Sequence, residues 1–281
     1  MHATLRLFLA LVALTLCFNA DATTEKLLKT GKFNPKRDLL LVQFDCKTDV
    51  DDLHSAAAFV TLMSDPAFSN LNYHAVAGTY GTQEGLYVPP NALFQLAFGD
   101  HWTDAHENFA GAVDAVKALV KSTLAQKGDV WIAEAGQSDF TAALLKAIQA
   151  DLPTLPTSQR IHVVQHSDWN EEVTSPESLQ FVKTNADYQK IPDGNVVGNG
   201  TPGFRSAEFT QWKTHMSDRR LVTIWQRTLD TANQYNGKEG RYLNEAVAAG
   251  GLDFSDLSEV CWILGLQDIK DVAHFFNRYA S

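Results

Sequence analysis

The stretch Leu39-Leu40-Leu41-Val42-Gln43-Phe44 runs without a break into Asp45-Cys46-Lys47-Thr48-Asp49-Val50-Asp51-Asp52, and a helix-like segment follows directly. A continuous apolar run of this kind reads as a central parallel strand buried on both faces. Four carboxylates within eight residues repel one another. A solvated loop tolerates that repulsion, but here both flanks read as buried. In an open α/β sheet the carboxyl ends of the strands are where ligands bind. Carboxylates gathered there suit a hard cation that takes oxygen ligands. The other reading of the same residues is a solvated acidic loop capping a helix.

The pattern then repeats. A helix is expected over 52–63, a strand over 73–77 ending in the glycine-containing loop 78–82, and a helix from Pro89-Pro90 to Phe98. Next come a helix over 110–125, a strand over 129–133 and a helix over 140–150. A strand over 160–165 ends at His166-Ser167-Asp168-Trp169-Asn170, and a helix opens at Ser175-Pro176-Glu177. Asn195-Val196-Val197 reads as a short strand, 198–220 as an irregular segment over the site, and 221–233 and 255–264 as helices. Strand, loop and helix alternate at least four times, which predicts one α/β domain with a mainly parallel central sheet flanked by helices. Right-handed crossovers bring the loops after the strands to one edge. Residues 45–52, 78–82, 135–139 and 166–170 should therefore converge.

Residues 1–22 read as a secretory signal peptide, with Arg6 as the positive region, an apolar stretch over 7–18 and Ala20-Asp21-Ala22 before the cleavage point. The expected organisation is thus a signal over 1–22 and one domain over 23–281, secreted or periplasmic, with no membrane span in the mature form. A net charge of −10 argues against nucleic acid and anionic membrane surfaces as partners, because binding phosphates needs clustered Lys and Arg. Cys46 and Cys261 remain after cleavage. An oxidising compartment permits a disulfide between them, and two buried thiols is the preferred reading.

In its order of motifs the chain resembles the nucleoside hydrolase family, including its divergent secreted members, over roughly 38–270. The family carries a D-x-D motif at a strand end followed by a closing D-D pair, and some members have two extra loop residues. Phe44 to Asp52 matches that longer form without gaps. On this register Asp45 looks like the family's calcium-binding general base, Asp52 like the bidentate calcium ligand, and Gln43 replaces the first Asp. The shorter form makes Asp45 the first Asp and puts Lys47 in place of the base. The longer register is preferred because Val50 matches the apolar residue before the closing pair. Ile132-Ala133-Glu134-Ala135-Gly136 is similar to the strand end whose carbonyl, here that of Ala135, ligates the metal. Asp168-Trp169-Asn170 is similar to the acidic-x-Asn segment that grips ribose hydroxyls. Phe254-Ser255-Asp256-Leu257 resembles a late segment whose Asp completes the calcium shell. Ser255 stands where many members have a histidine acid, and Thr82 where an asparagine is usual.

The resemblance implies a calcium-dependent hydrolase of an N-ribosyl or related glycosidic bond, acting on a small-molecule riboside or carbohydrate through a metal-bound water activated by Asp45. Asp45, Asp52, Ala135 and Asp256 would hold Ca2+. Asp51, Asp168 and Asn170 would bind the substrate, with Trp169 and Tyr80 placed to stack on a base or sugar. Each has a plainer reading: Asp51 as a carboxylate at a helix N-terminus, Asp168 and Asn170 as part of a capped helix start, Asp256 as an N-cap. Of nine histidines, only His166 stands at a strand end where it can act as an acid near a leaving group. From a different class comes a non-catalytic carbohydrate-binding or scaffold protein on the same fold. That reading predicts Lys47 pairing with the carboxylates, or a cavity closed by 198–220. A magnesium phosphatase is the third reading, for which Arg205, Arg219 and Arg220 are the only basic candidates.

Overall fold

The computed structural model describes residues 33–280, so the expected signal peptide lies outside the described residues. The chain begins with β1 (Leu39–Phe44), α1 (Asp51–Met63), β2 (Tyr73–Ala77), α2 (Asn91–Phe98), β3 (Trp102–Asp104) and α3 (Phe109–Ala125). It continues with β4 (Val130–Ala135), α4 (Asp139–Asp151), α5 (Thr157–Arg160), β5 (Ile161–His166), α6 (Asp168–Glu172), α7 (Pro176–Asn185) and β6 (Asp187–Ile191). The last third holds β7 (Arg205–Ser206), α8 (Arg219–Tyr235), α9 (Glu245–Ala248), β8 (Leu252–Asp253), α10 (Ser258–Leu264) and α11 (Val272–Tyr279), with 3-10 turns at Trp212–His215 and Ser255–Leu257.

Six strands form one parallel sheet in the order β3-β2-β1-β4-β5-β6. The fold is α/β, as the alternation predicts. Because side chains alternate along a strand, β1 feeds two cores. Leu40, Val42 and Phe44 pack with α1, α2, α8 and the C-terminal helices. Leu39 and Leu41 pack with α3, α4 and α7 on the opposite face. Strand order reverses between β1 and β4, where the chain winds outward in both directions. At such a reversal the flanking loops part and leave a crevice at the carboxyl ends of the strands.

Two expectations about the elements needed correction. Asn195-Val196-Val197 is a turn rather than a strand, and the sixth strand of the sheet is β6, just upstream. Residues 198–220 are not wholly irregular. Arg205 and Ser206 pair antiparallel with Asp253 and Leu252, and α8 already starts at Arg219. Helix α11 lacked a sequence expectation altogether. Cys46 and Cys261 are both free and buried, in line with the preferred reading. None of the described helices is long and apolar enough to cross a membrane.

Candidate metal centre and cavity

A cavity of about 310 Å³ opens at the reversal point. Its walls come from the loop after β1 (Asp45, Lys47, Thr48, Asp49, Asp51, Asp52), from the end of β4 (Ala135, Gly136) and from the end of β5 (His166, Ser167, Trp169, Asn170). Later segments add Asn195, Arg205, Tyr242, Ser255 and Asp256. Three of the four loops expected to converge thus line it. The exception is the loop after β2, which reaches the site from behind through Gln83.

The acidic run places its carboxylates as follows. Asp51 and Asp52 open α1, where the positive end of the helix favours negative charge. Asp256 arrives from the 3-10 turn after β8. One oxygen of each of Asp51, Asp52 and Asp256 lies within 4.8 Å of the others. Asp52 accepts the Cys46 N–H at 2.7 Å through Oδ2, and its Oδ1 is buried without a partner. Asp256 accepts the Ser55 hydroxyl at 3.3 Å and caps no helix. Asp51 accepts the Asp52 N–H at 3.0 Å, so its helix-start role is real and leaves its second oxygen for the cavity. Burial, reinforced by mutual repulsion, pushes the carboxyls of Asp51, Asp52 and Asp256 well above the usual carboxylate range.

Asp45 lies outside this trio but within hydrogen-bonding reach of the Asp52 carboxyl. Its Oδ1 accepts the Lys47 N–H at 2.7 Å. Its Oδ2 accepts the side-chain amides of Gln137 at 2.9 Å and Gln83 at 3.2 Å. Burial raises its carboxyl to about 6 in spite of these donors. The two glutamines also bond to each other, and Gln137 extends the chain to Asn170 at 3.1 Å. Neither glutamine was foreseen as a site residue.

Lys47 lines the cavity but does not join the carboxylates, because its ammonium lies 4.5 Å from the centroid of the Tyr80 ring. Tyr80 is thereby engaged from one side and bonds His106 through its hydroxyl at 2.9 Å, away from the cavity. Gln43 points to the opposite face of the sheet and bonds Thr141 at 3.0 Å. Asp49 faces Asn244 and the buried Asp253, and burial raises its carboxyl to about 7. The carbonyl of Ala135 accepts the Asp45 N–H at 3.2 Å and keeps one lone pair for another partner.

Asn170 and Trp169 line the cavity as expected, Trp169 with 45% of its surface exposed. Asp168 does not. The turn at Ser167, with φ +74° and its hydroxyl accepting the Trp169 N–H, starts α6 so that Asp168 faces solvent and pairs with Lys190 on β6. The expected substrate contact from Asp168 is therefore corrected to a surface ion pair.

The donor set fits a divalent, oxygen-binding cation. Five carboxylates border one cavity, three of them converge, and a fully buried carboxylate oxygen has no protein partner. Leaving such charge uncompensated in the interior is costly. The chain matches no family model, no curated protein and no solved structure.

Proposed function

We propose that the chain is a calcium-dependent hydrolase that cleaves an N-ribosyl or related glycosidic bond of a small-molecule riboside or carbohydrate, with Asp45 as general base. The supporting observation is the convergence of Asp51, Asp52 and Asp256 within 4.8 Å at the sheet's reversal point, with Oδ1 of Asp52 buried and unpartnered. The resemblance of residues 44–52 to the nucleoside hydrolase motif supports the same reading. Its expected location is secreted or periplasmic, as residues 1–22 read.

Asp51, Asp52 and Asp256 would hold the cation, with Asp45 and the Ala135 carbonyl at the margin of the group. When bound, calcium supplies positive charge that orients a water, makes it more acidic and anchors sugar hydroxyls. Asp45 takes the water's proton. Gln83 and Gln137 occupy Oδ2 and fix the carboxylate plane, leaving Oδ1 a lone pair for the water. The water oxygen bonds to the anomeric carbon, and the glycosidic bond breaks with its electron pair leaving on the aglycone. Asn170 offers an amide to the sugar. Trp169 and Tyr242, both about half exposed on the cavity wall, offer flat faces for stacking.

A second reading, a non-catalytic carbohydrate-binding protein on the same site, is favoured by one observation. Asp45 already accepts three N–H donors, and Lys47 stands on the wall beside it. Calorimetric titration of the purified chain with calcium, wild type against Asp52→Asn, decides the first step. A screen of ribonucleosides and p-nitrophenyl riboside for release of reducing sugar follows. Calcium binding that the variant loses, together with sugar release, supports the hydrolase. Binding without release, or no calcium binding at all, removes the hydrolase mechanism and moves the assignment to the non-catalytic carbohydrate binder.

A further inference from the structure

His166 closes β5 with its side chain 97% buried, yet it forms part of the cavity wall. Its Nδ1 lies 2.7 Å from Oε1 of Glu259, and the same oxygen accepts the His166 backbone N–H at 3.1 Å. Glu259 lies on α10 with no exposed surface, and its other oxygen has no partner. One buried carboxylate therefore fixes both the position and the tautomer of the ring. With Nδ1 occupied, Nε2 is the polar atom left to the cavity, and it has no protein partner among the described residues.

Resting on the hydrolase reading above, we propose that His166 is the general acid, donating its Nε2 proton to the leaving group while Glu259 holds the ring as a positioning residue. As the glycosidic bond breaks, its electron pair goes to the aglycone nitrogen or oxygen. The Nε2–H proton passes to that atom, and His166 is left neutral. Asp45 has meanwhile gained a proton from the attacking water, so the two residues exchange one proton through solvent to return to the starting state.

The charges around the ring favour this role. Glu259 on α10, Asp256 in the adjoining 3-10 turn and Asp193 after β6 all favour the imidazolium. Burial opposes the charge, but these carboxylates outweigh it and raise the imidazole to about 9. Glu259, which is not among the proposed cation ligands, thus favours the protonated ring that a general acid needs. Among the described residues no other histidine borders the cavity. His54 lies fully buried within α1 and is not part of the cavity wall.

The test compares uridine, whose leaving group needs a proton, with p-nitrophenyl riboside, whose leaving group departs as a stable anion. Wild type, His166→Gln, Glu259→Gln and the double variant are measured as full chains with calcium. The double variant retains a neutral hydrogen-bonded pair, so it guards against a folding defect from an unpaired buried charge. The expected result is a loss of at least ~10²-fold in kcat on uridine for His166→Gln, against less than about tenfold on p-nitrophenyl riboside. Glu259→Gln should move the alkaline limb of kcat on uridine to lower pH, which a purely structural role would not do. Equal losses on both substrates, or no loss on uridine, overturn the assignment while the hydrolase reading stands. A wild type inert towards both probes overturns the hydrolase reading and this assignment with it.

Discussion

Asp52 keeps one carboxylate oxygen on the Cys46 amide and leaves the other bare inside the protein, with Asp51 and Asp256 alongside. In the proposed calcium site Asp52 would be a principal ligand. Calcium at about a hundred times its dissociation constant stabilises a folded chain by about 2.7 kcal/mol, on the order of 5–10 °C for a chain this size. Asp52→Asn should reduce that rise in Tm, read by calorimetry, to below about 2 °C. Gln137 acts on a different scale of subtlety. Gln137→Leu removes a donor from Oδ2 of Asp45, and a carboxylate with fewer donors holds its proton more tightly. The acid limb of kcat/KM should therefore move to higher pH, and an unmoved limb would show that Asp45 is not the titrating base. The carboxylates of the run 45–52 were legible in the sequence because four acids stand between two buried elements, although a solvated helix-capping loop fits the same spacing. The glutamines that fix Asp45 were not, since a lone amide in a loop carries no spacing or charge signal. Asp168 misled for a related reason, as the turn that directs it outward depends on the left-handed backbone at Ser167.

At the scale of elements, β1 announced itself through a nearly continuous apolar run, as a strand buried on both faces does, and β2, β4 and β5 through short apolar stretches that end in loop residues. The edge strands gave no such signal. β3 has three half-buried residues, and β6 reads Asp-Tyr-Gln-Lys-Ile with one buried side chain. An edge needs pairing on one side only, so its composition stays polar and resembles a loop. The junctions between strand and loop set the site geometry. Gly136, directly after β4, has φ +151°, and a Cβ there would lie 3.0 Å from both the Asp45 Cβ and the Thr79 carbonyl. Gly136→Ala should cost about 1–3 kcal/mol in denaturant unfolding and weaken activity further by displacing Asp45. A variant with wild-type stability and activity would mean that this junction is looser than its contacts imply.

For the whole molecule, the alternation of strand and helix was enough to place the loops at one edge, and the two cores followed from side-chain alternation on β1. The same architecture fixes an unusual pH response. Asp45 is raised to about 6, and Asp49 and Glu134 to about 7, in each case chiefly by burial. A carboxyl raised on folding stabilises the fold while protonated. That contribution is complete below about pH 4 and is lost as pH rises through 6 to 7. Buried His54 and His74, lowered to about 3 and 4, act in the opposite sense up to about pH 6.5. Without calcium, Tm should therefore fall with rising pH between about 6.5 and 7.5, where the histidines no longer titrate, and saturating calcium should flatten that limb. A calcium-free Tm that rises over that interval would contradict the buried state of these carboxyls. The cavity also carries its own optical reporter. Among the described residues Trp169 is the one exposed tryptophan, and it stands on the cavity wall while Trp131, Trp212 and Trp225 are buried. Water reaches its indole and red-shifts its emission, whereas the buried rings emit to the blue. A sugar or base seated against Trp169 would displace that water, so occupancy is readable as a blue shift at the red edge of the spectrum, without label, calcium indicator or turnover.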